Sequence, residues 1–206
     1  MKLLIVDACC FTRLGIASHF TDNIFTSVRC SQSIDAALLL LANFQPSHIL
    51  VNLTNYCRHS ENNLLLEAFI NATQSSTLHI YLETPYPYSE KPIRITDNAF
   101  LFSKTILACV LRSLRKNTTA LVDNNHKYSL FSPQELAVMK YWLAETANYH
   151  IAKKLQISTH TVYVHKRHIM EKTYTRNRLE FYTLYNVLRY FYPTTLNHSP
   201  LNLVAV

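Results

Sequence analysis

The sequence predicts two domains of different class, an α/β domain on a five-stranded parallel sheet followed by an all-α domain of four helices. Two observations carry this. Through residues 1–116 short apolar runs alternate with stretches of helical period, the pattern of right-handed βαβ units. After a polar, Asn-rich stretch at 117–130, every periodic segment to 192 has helical spacing. We therefore divide the chain into a first domain at 1–116, a linker at 117–130, a helical domain at 131–192 and a tail at 193–206 that is expected to be poorly ordered.

Taken in order, "LLIVD" (3–7) predicts strand one and Phe11–Phe20 a helix. "IFTSVRC" (24–30) predicts strand two. "SIDAALLLLANF" (33–44) opens on a Ser cap, carries a stripe through Ala37, Leu38 and Leu41, and is stopped by Pro46. "HILVNL" (48–53) is the third strand, "ENNLLLEAFINAT" (61–73) a helix, "LHIYLE" (78–83) the fourth strand and "AFLFS" (99–103) the fifth, before a helix at 105–116. Between the last two strands, Pro85, Pro87 and Pro92 argue against a helix. In the second domain "SPQE" (132–135) is a capping box with proline at the first helical position, and its helix should run to about Ala144. Further helices follow at about Ala147–Leu155, at 159–172 with Ser158 as cap, and at about Arg176–Tyr192.

Composition narrows the function. The chain has 206 residues, 49% hydrophobic and 16% charged, enough to bury a core, and no apolar run approaches the ~20 residues of a membrane span. "MKLLIVDACC" is too short-cored for a signal peptide, so a cytoplasmic protein is expected. The five cysteines (Cys9, Cys10, Cys30, Cys57, Cys109) form no CxxC pair and read as buried free thiols. Gly15 is the only glycine, which excludes Gly-rich phosphate loops and leaves turns to Asn, Asp, Ser and Pro. No cofactor, metal or catalytic group is implied. Charge is concentrated: residues 1–122 hold ten Lys+Arg against eight Asp+Glu, residues 123–206 ten against five. Between His150 and Arg178 seven basic residues face Glu171 alone, the footprint of a nucleic-acid partner.

The basic segment sits on "THTVYVHKRHIMEK" (159–172). At about 100° per residue Val162 and Ile169 share an inward face, with Thr173 beside them, while His160, Tyr163, Val164, Arg167 and Glu171 gather outward. His165 tends inward and His168 outward, which argues against a metal pair, and His165 is expected to be a satisfied core histidine. An outward valine beside Tyr and Arg suits base edges, where apolar groups meet the thymine methyl and Arg binds guanine. The preceding helix turns Ile151, Ala152 and Leu155 in and Lys153, Lys154 out, as in the first helix of a helix-turn-helix.

Residues 131–180 resemble the LuxR/FixJ-type DNA-binding domain. The matching residues are Ser132-Pro133-Gln134-Glu135, Ile151-Ala152, Leu155, Ile157-Ser158, Thr161-Val162, His165, Ile169 and Lys172. The resemblance implies base contacts by Tyr163, Val164 and Arg167, and phosphate contacts by Lys153, Lys154, Thr161, Lys166 and Lys172. Three positions depart from the pattern. Glu145-Thr146 replace the usual glycine between the first two helices. Thr173 replaces the usual leucine and should weaken the core. Tyr163 stands where many members have lysine, which alters the expected sequence preference.

The first domain resembles a response-regulator receiver, flavodoxin-like, with its chemistry degenerate. Asp7 is followed by Ala8 rather than a second acid, Asn52 takes the phospho-acceptor place, Glu83-Thr84 fill the position after strand four, and Lys104 is retained. An amide is not the nucleophile that forms an acyl phosphate, and Ala8 removes a hard oxygen ligand for Mg²⁺. Asp7 and Lys104 are expected to persist as a structural ion pair. The start "IVDACCFTRLGI" resembles the RcsA-type auxiliary regulators.

Together these imply a DNA-binding transcriptional regulator with no enzymatic activity and no need of phosphorylation. It would act on double-stranded DNA as a homodimer, or as a heterodimer with another LuxR/FixJ-type regulator, without a membrane partner. On the last helix, one stripe (Phe181, Leu184, Leu188, Phe191) would close the domain, leaving Tyr182, Tyr185 and Arg189 either as a candidate dimer face or as further core. The alternative is a module that titrates a DNA-binding regulator without reading DNA itself.

Overall fold

Leu3, Leu4 and Ile5 have no exposed surface, so the first strand is covered on both faces, as a central strand of a parallel sheet must be. The computed structural model describes residues 1–58, 61–116 and 128–192. Its sheet contains β1 (Lys2–Val6), β2 (Ser27–Ser31), β3 (His48–Asn52), β4 (Thr77–Leu82), β5 (Ile93–Arg94) and β6 (Ala99–Ser103) in the order β2-β1-β3-β4-β6-β5. The five expected strands are parallel, and β5 adds a two-residue antiparallel edge beside β6. That sixth strand lies in the proline-rich stretch, which is otherwise free of helix. A two-residue pairing is too short to register as an alternating pattern in sequence.

Helices cover both faces. The cluster with Leu3, Ile5, Leu50, Tyr81 and Phe102 packs against α1 (Cys10–Ser18) and α4 (Leu107–Arg115). The opposite face, with Leu4, Val6, Ile49 and Val51, packs against α2 (Ile34–Phe44) and α3 (Leu64–Ala72). Ser33 caps α2 as expected, accepting from Ala36 N at 3.4 Å. β2 starts three residues later than expected. Ile24 and Phe25 are exposed in the preceding turn, because β1 pairs from Lys2 with Ser27. α3 likewise starts at Leu64, after an Asn63 cap, and a 3₁₀ turn (Thr54–Arg58) precedes it.

The second domain contains α5 (Pro133–Leu143), α6 (Asn148–Leu155), α7 (Thr159–Lys172) and α8 (Arg178–Leu188), with a closing 3₁₀ turn at Arg189–Phe191. The Ser132/Glu135 capping box is made in both directions, at 3.2 and 2.7 Å. Trp142 stacks on Phe181 at 5.2 Å between centroids, over a core of Val138, Ile151, Val162, Ile169 and Leu184. Most of the expected linker (117–127) and all of the expected tail (193–206) lie outside the described residues.

One expectation drawn from composition is corrected. Only Cys57 is buried, and burial pushes its thiol up to about 12; Cys9, Cys10, Cys30 and Cys109 are free and exposed. Asn, Asp and Ser do serve turns, as at Asp7, Asn23 and Asn52, while among the described residues left-handed backbone falls on Gln45, Glu145, Gln156 and Tyr174, with φ of 48, 59, 55 and 49°. Glu145 occupies the place where the family pattern has glycine, so the conformation is kept and an L side chain carries its cost.

Candidate nucleic-acid interface and the strand-end pocket

Helix α7 sorts much as its angles required. Val162, Ile169 and Thr173 are buried, Tyr163 is 59% exposed, and Arg167 and Glu171 are exposed; Val164 is half-buried. Ser158 caps the helix, accepting from Thr161 N at 3.0 Å, and its hydroxyl lies 2.8 Å from that of Thr161. Arg167 Nε meets Glu171 Oε1 at 3.1 Å one turn on, an exposed pair that orients the guanidinium more than it stabilises the helix. Thr173 does not leave a polar hole in the core. Its hydroxyl donates to Ile169 O at 2.8 Å and lies 3.1 Å from that of Thr175.

The cations divide into two groups. Lys153 and Lys154 are exposed on α6, Lys154 reaching over the Tyr141 ring at 4.9 Å. Lys166 and Lys172 are engaged within the domain. Lys166 Nζ donates to Asn148 at the start of α6 and lies 5.4 Å from the Trp142 ring. Burial, and then the charge of Arg178, hold that ammonium below the usual lysine range. Lys172 pairs with the buried Glu135 at 2.7 Å. Burial alone would raise the Glu135 carboxyl, but Lys172 and the Ser132 amide outweigh it and hold the pKa below its ordinary value. The expected core histidine is corrected: His165 is only half-buried, and its shielded Nδ1 makes no hydrogen bond.

At the C-terminal ends of β1, β3 and β4 lies the second constellation. Asp7 is 3% exposed. It accepts from Cys9 N at 2.6 Å, from Asn52 Nδ2 at 3.1 Å and from the Tyr81 hydroxyl. Lys104 does not reach it. Its Nζ binds Glu83 Oε1 at 2.6 Å and Thr12 Oγ1 at 3.4 Å, so the expected Asp7–Lys104 pair is replaced by Lys104–Glu83. The reason is the β4–β6 register. It sets Leu82 beside Ser103, so Glu83 and Lys104 leave the sheet side by side, while Tyr81 fills the space next to Asp7. Burial first, and then the bond to Asp7, push the Tyr81 hydroxyl far above the usual tyrosine range, so it stays a donor.

On α8 the core alternative holds over the dimer face for two of the three residues, Tyr182 being half-buried. Tyr185 and Arg189 are buried against the chain's own first domain. Asn186 Nδ2 donates to Cys57 O at 2.8 Å, Arg189 donates to Glu61 O, and Asn63 N donates to Tyr190 Oη at 2.8 Å. Tyr88 N donates to Tyr174 O at 2.9 Å, with the Arg176 guanidinium 4.0 Å above the Tyr88 ring.

Residues 129–185 match the bacterial regulatory proteins of the luxR family. Residues 2–127, more than half the chain, match the N-terminal dimerisation domain of the transcriptional regulator RcsA. The chain belongs to the RcsA family of transcriptional regulators. RcsA of Escherichia coli O157:H7 is 22% identical over 196 residues, covering 92% of this chain and 93% of its own length. RcsA of Erwinia amylovora is 25% identical over 201 residues, with the same coverage. Among solved structures, RcsB from Salmonella enterica serovar Typhimurium, bound to promoter rprA, is 17% identical. Its TM-score is 0.49, with 92% of this chain and 97% of that one covered.

In this RcsA-family chain, sequence reasoning missed two pocket residues and the partner of a third. Tyr81 reads as one more apolar position of a buried strand. Thr54 follows the strand and carries no motif. Glu83 was noted only as filling a place, although a carboxylate near Lys104 was the available signal for its partner.

Proposed function

We propose that this RcsA-family chain is a sequence-specific DNA-binding transcriptional regulator that is not an enzyme and needs no phosphorylation. It works in the bacterial cytoplasm, associated with the nucleoid when bound, as a homodimer or as an auxiliary partner of another LuxR/FixJ-type regulator. The observation that carries the reading is the outward face of α7, where exposed Tyr163 and Arg167 flank Val164 and the exposed Lys153 and Lys154 lie on the neighbouring helix. Tyr163, Val164 and Arg167 are proposed to touch base edges. Lys153, Lys154 and Thr161 are proposed to touch phosphates, as are Lys166 and Lys172 once they share their present partners. Independence from phosphorylation is supported by an amide at position 52 and by an Asp7 that already accepts three hydrogen bonds from within the chain. For the domains, the reading keeps 1–116 and 131–192 as the folded units.

Titration of the pure protein into labelled duplex across a salt series tests it. With roughly six phosphates neutralised, log K should fall against log salt with a slope of about −5. Binding only when a second regulator is added would select the auxiliary-partner form, whereas a flat response, or loss of a second regulator's own DNA binding on adding this protein, would favour the titrating module instead.

A further inference from the structure

The pocket and the domain interface are joined by one short segment, the Thr54–Arg58 turn. Asn52 works on both sides of it. Its amide nitrogen donates to Asp7 at 3.1 Å and to Glu83 at 3.3 Å. Its amide oxygen accepts from Thr54 N at 3.0 Å and from Thr54 Oγ1 at 2.6 Å. The same Thr54 hydroxyl accepts from Glu83 N at 2.8 Å, so the start of the turn is tied to β3 and to the end of β4 at once. An Asx turn of this kind fixes the direction in which the chain leaves the strand. Three residues later the carbonyl of Cys57 receives the side-chain amide of Asn186, and both residues are buried. A buried amide is costly without a partner, so this bond sets one register between α8 and the turn in a way that apolar packing alone does not.

We infer that Asn52 is a positioning residue for the DNA-binding domain: it fixes the Thr54–Arg58 turn, and that turn is the seat on which α8 is held. The phospho-acceptor place has thereby become a static strut. Carboxylates alone could not do this, because only an amide both donates to Asp7 and Glu83 and accepts from the turn. The inference goes beyond the proposed reading of DNA and does not depend on it.

Hydrogen–deuterium exchange on the full chain, followed by peptide, tests it without DNA. Asn52→Ala and Thr54→Val should each speed exchange about tenfold in 53–58 and in 184–190, while α7 (159–172) stays at its native rate. Thr54→Ser, which keeps the hydroxyl, should restore both segments. Asn186→Ala, made on the other domain, should loosen 53–58 in return. The inference is overturned if the turn loosens and α8 does not, if α7 accelerates equally, or if Thr54→Ser behaves like Thr54→Val.

Discussion

Asn52→Asp restores the residue type of a phospho-acceptor, and the pocket dictates that it should harm this protein. The new carboxylate would occupy the volume of the amide, with one oxygen still accepting from Thr54 and the other facing Asp7 Oδ2 at 3.1 Å and Glu83 Oε1 at 3.3 Å. Two donated hydrogen bonds vanish, at about 0.5–1.5 kcal/mol each. Charge repulsion across 3.1 Å is roughly 1 kcal/mol in water and roughly 5 kcal/mol at an effective dielectric of 20. Lys104 at 2.6 Å offsets most of the charge on Glu83, and position 52 is half-exposed, so the lower part of that range applies. A loss of about 2–4 kcal/mol is expected at pH 7. The sign with pH follows from linkage. Repulsion makes the folded variant hold its new proton more tightly than the unfolded chain does, so the folded state binds more protons and stability falls as pH rises. Urea unfolding of wild type, Asn52→Ala and Asn52→Asp at pH 5 and pH 7 measures it. The Asp variant should fall below the Ala variant at pH 7 and approach it at pH 5. Equal, pH-independent losses would refute the pocket geometry.

Three other outcomes are expected. Gln156→Gly relieves an L side chain at φ 55° and should raise stability by about 0.5–1 kcal/mol, read as a higher Tm. Lys172→Ala leaves Glu135 buried without its ammonium and should cost about 1–3 kcal/mol at pH 7. Since the folded Glu135 pKa is depressed, the native contribution is present above the unfolded value and lost as pH falls through the folded one. The gap between wild type and this variant should therefore close under acid in parallel denaturation curves. Arg167→Ala should cost about 1–3 kcal/mol in DNA binding and relax the preference at one base pair, whereas Lys154→Ala should weaken all duplexes alike; competition binding on a substituted duplex set separates the two.

Fold class was legible because its signals are local and repeated. "LLIVD", "HILVNL" and "AFLFS" are apolar on both faces, which only a doubly covered parallel strand requires, and "SPQE" and Ser158 announce helices by chemistry confined to one turn. The outward face of α7 was equally legible, since helical angle follows from numbering alone. Other features were hidden because they depend on pairing between distant segments. The two-residue β5, the exposure of four cysteines and the exchange of Asp7 for Glu83 as the Lys104 partner are of this kind. His165 was misjudged because an angle near the edge of the inward face leaves burial undecided.

By itself, the sequence determined which residues α7 could present and that position 52 could not form an acyl phosphate, since both follow from residue type and spacing. Only the tertiary structure decided what the lost pocket became. Strand register brings Tyr81 against Asp7 and Glu83 against Lys104, and the packing of α8 brings Asn186 to Cys57 O. A second apolar stripe is drawn identically in sequence whether it meets a twin or its own domain. The difference lies in which surface lies opposite, and that is settled when the chain folds back on itself.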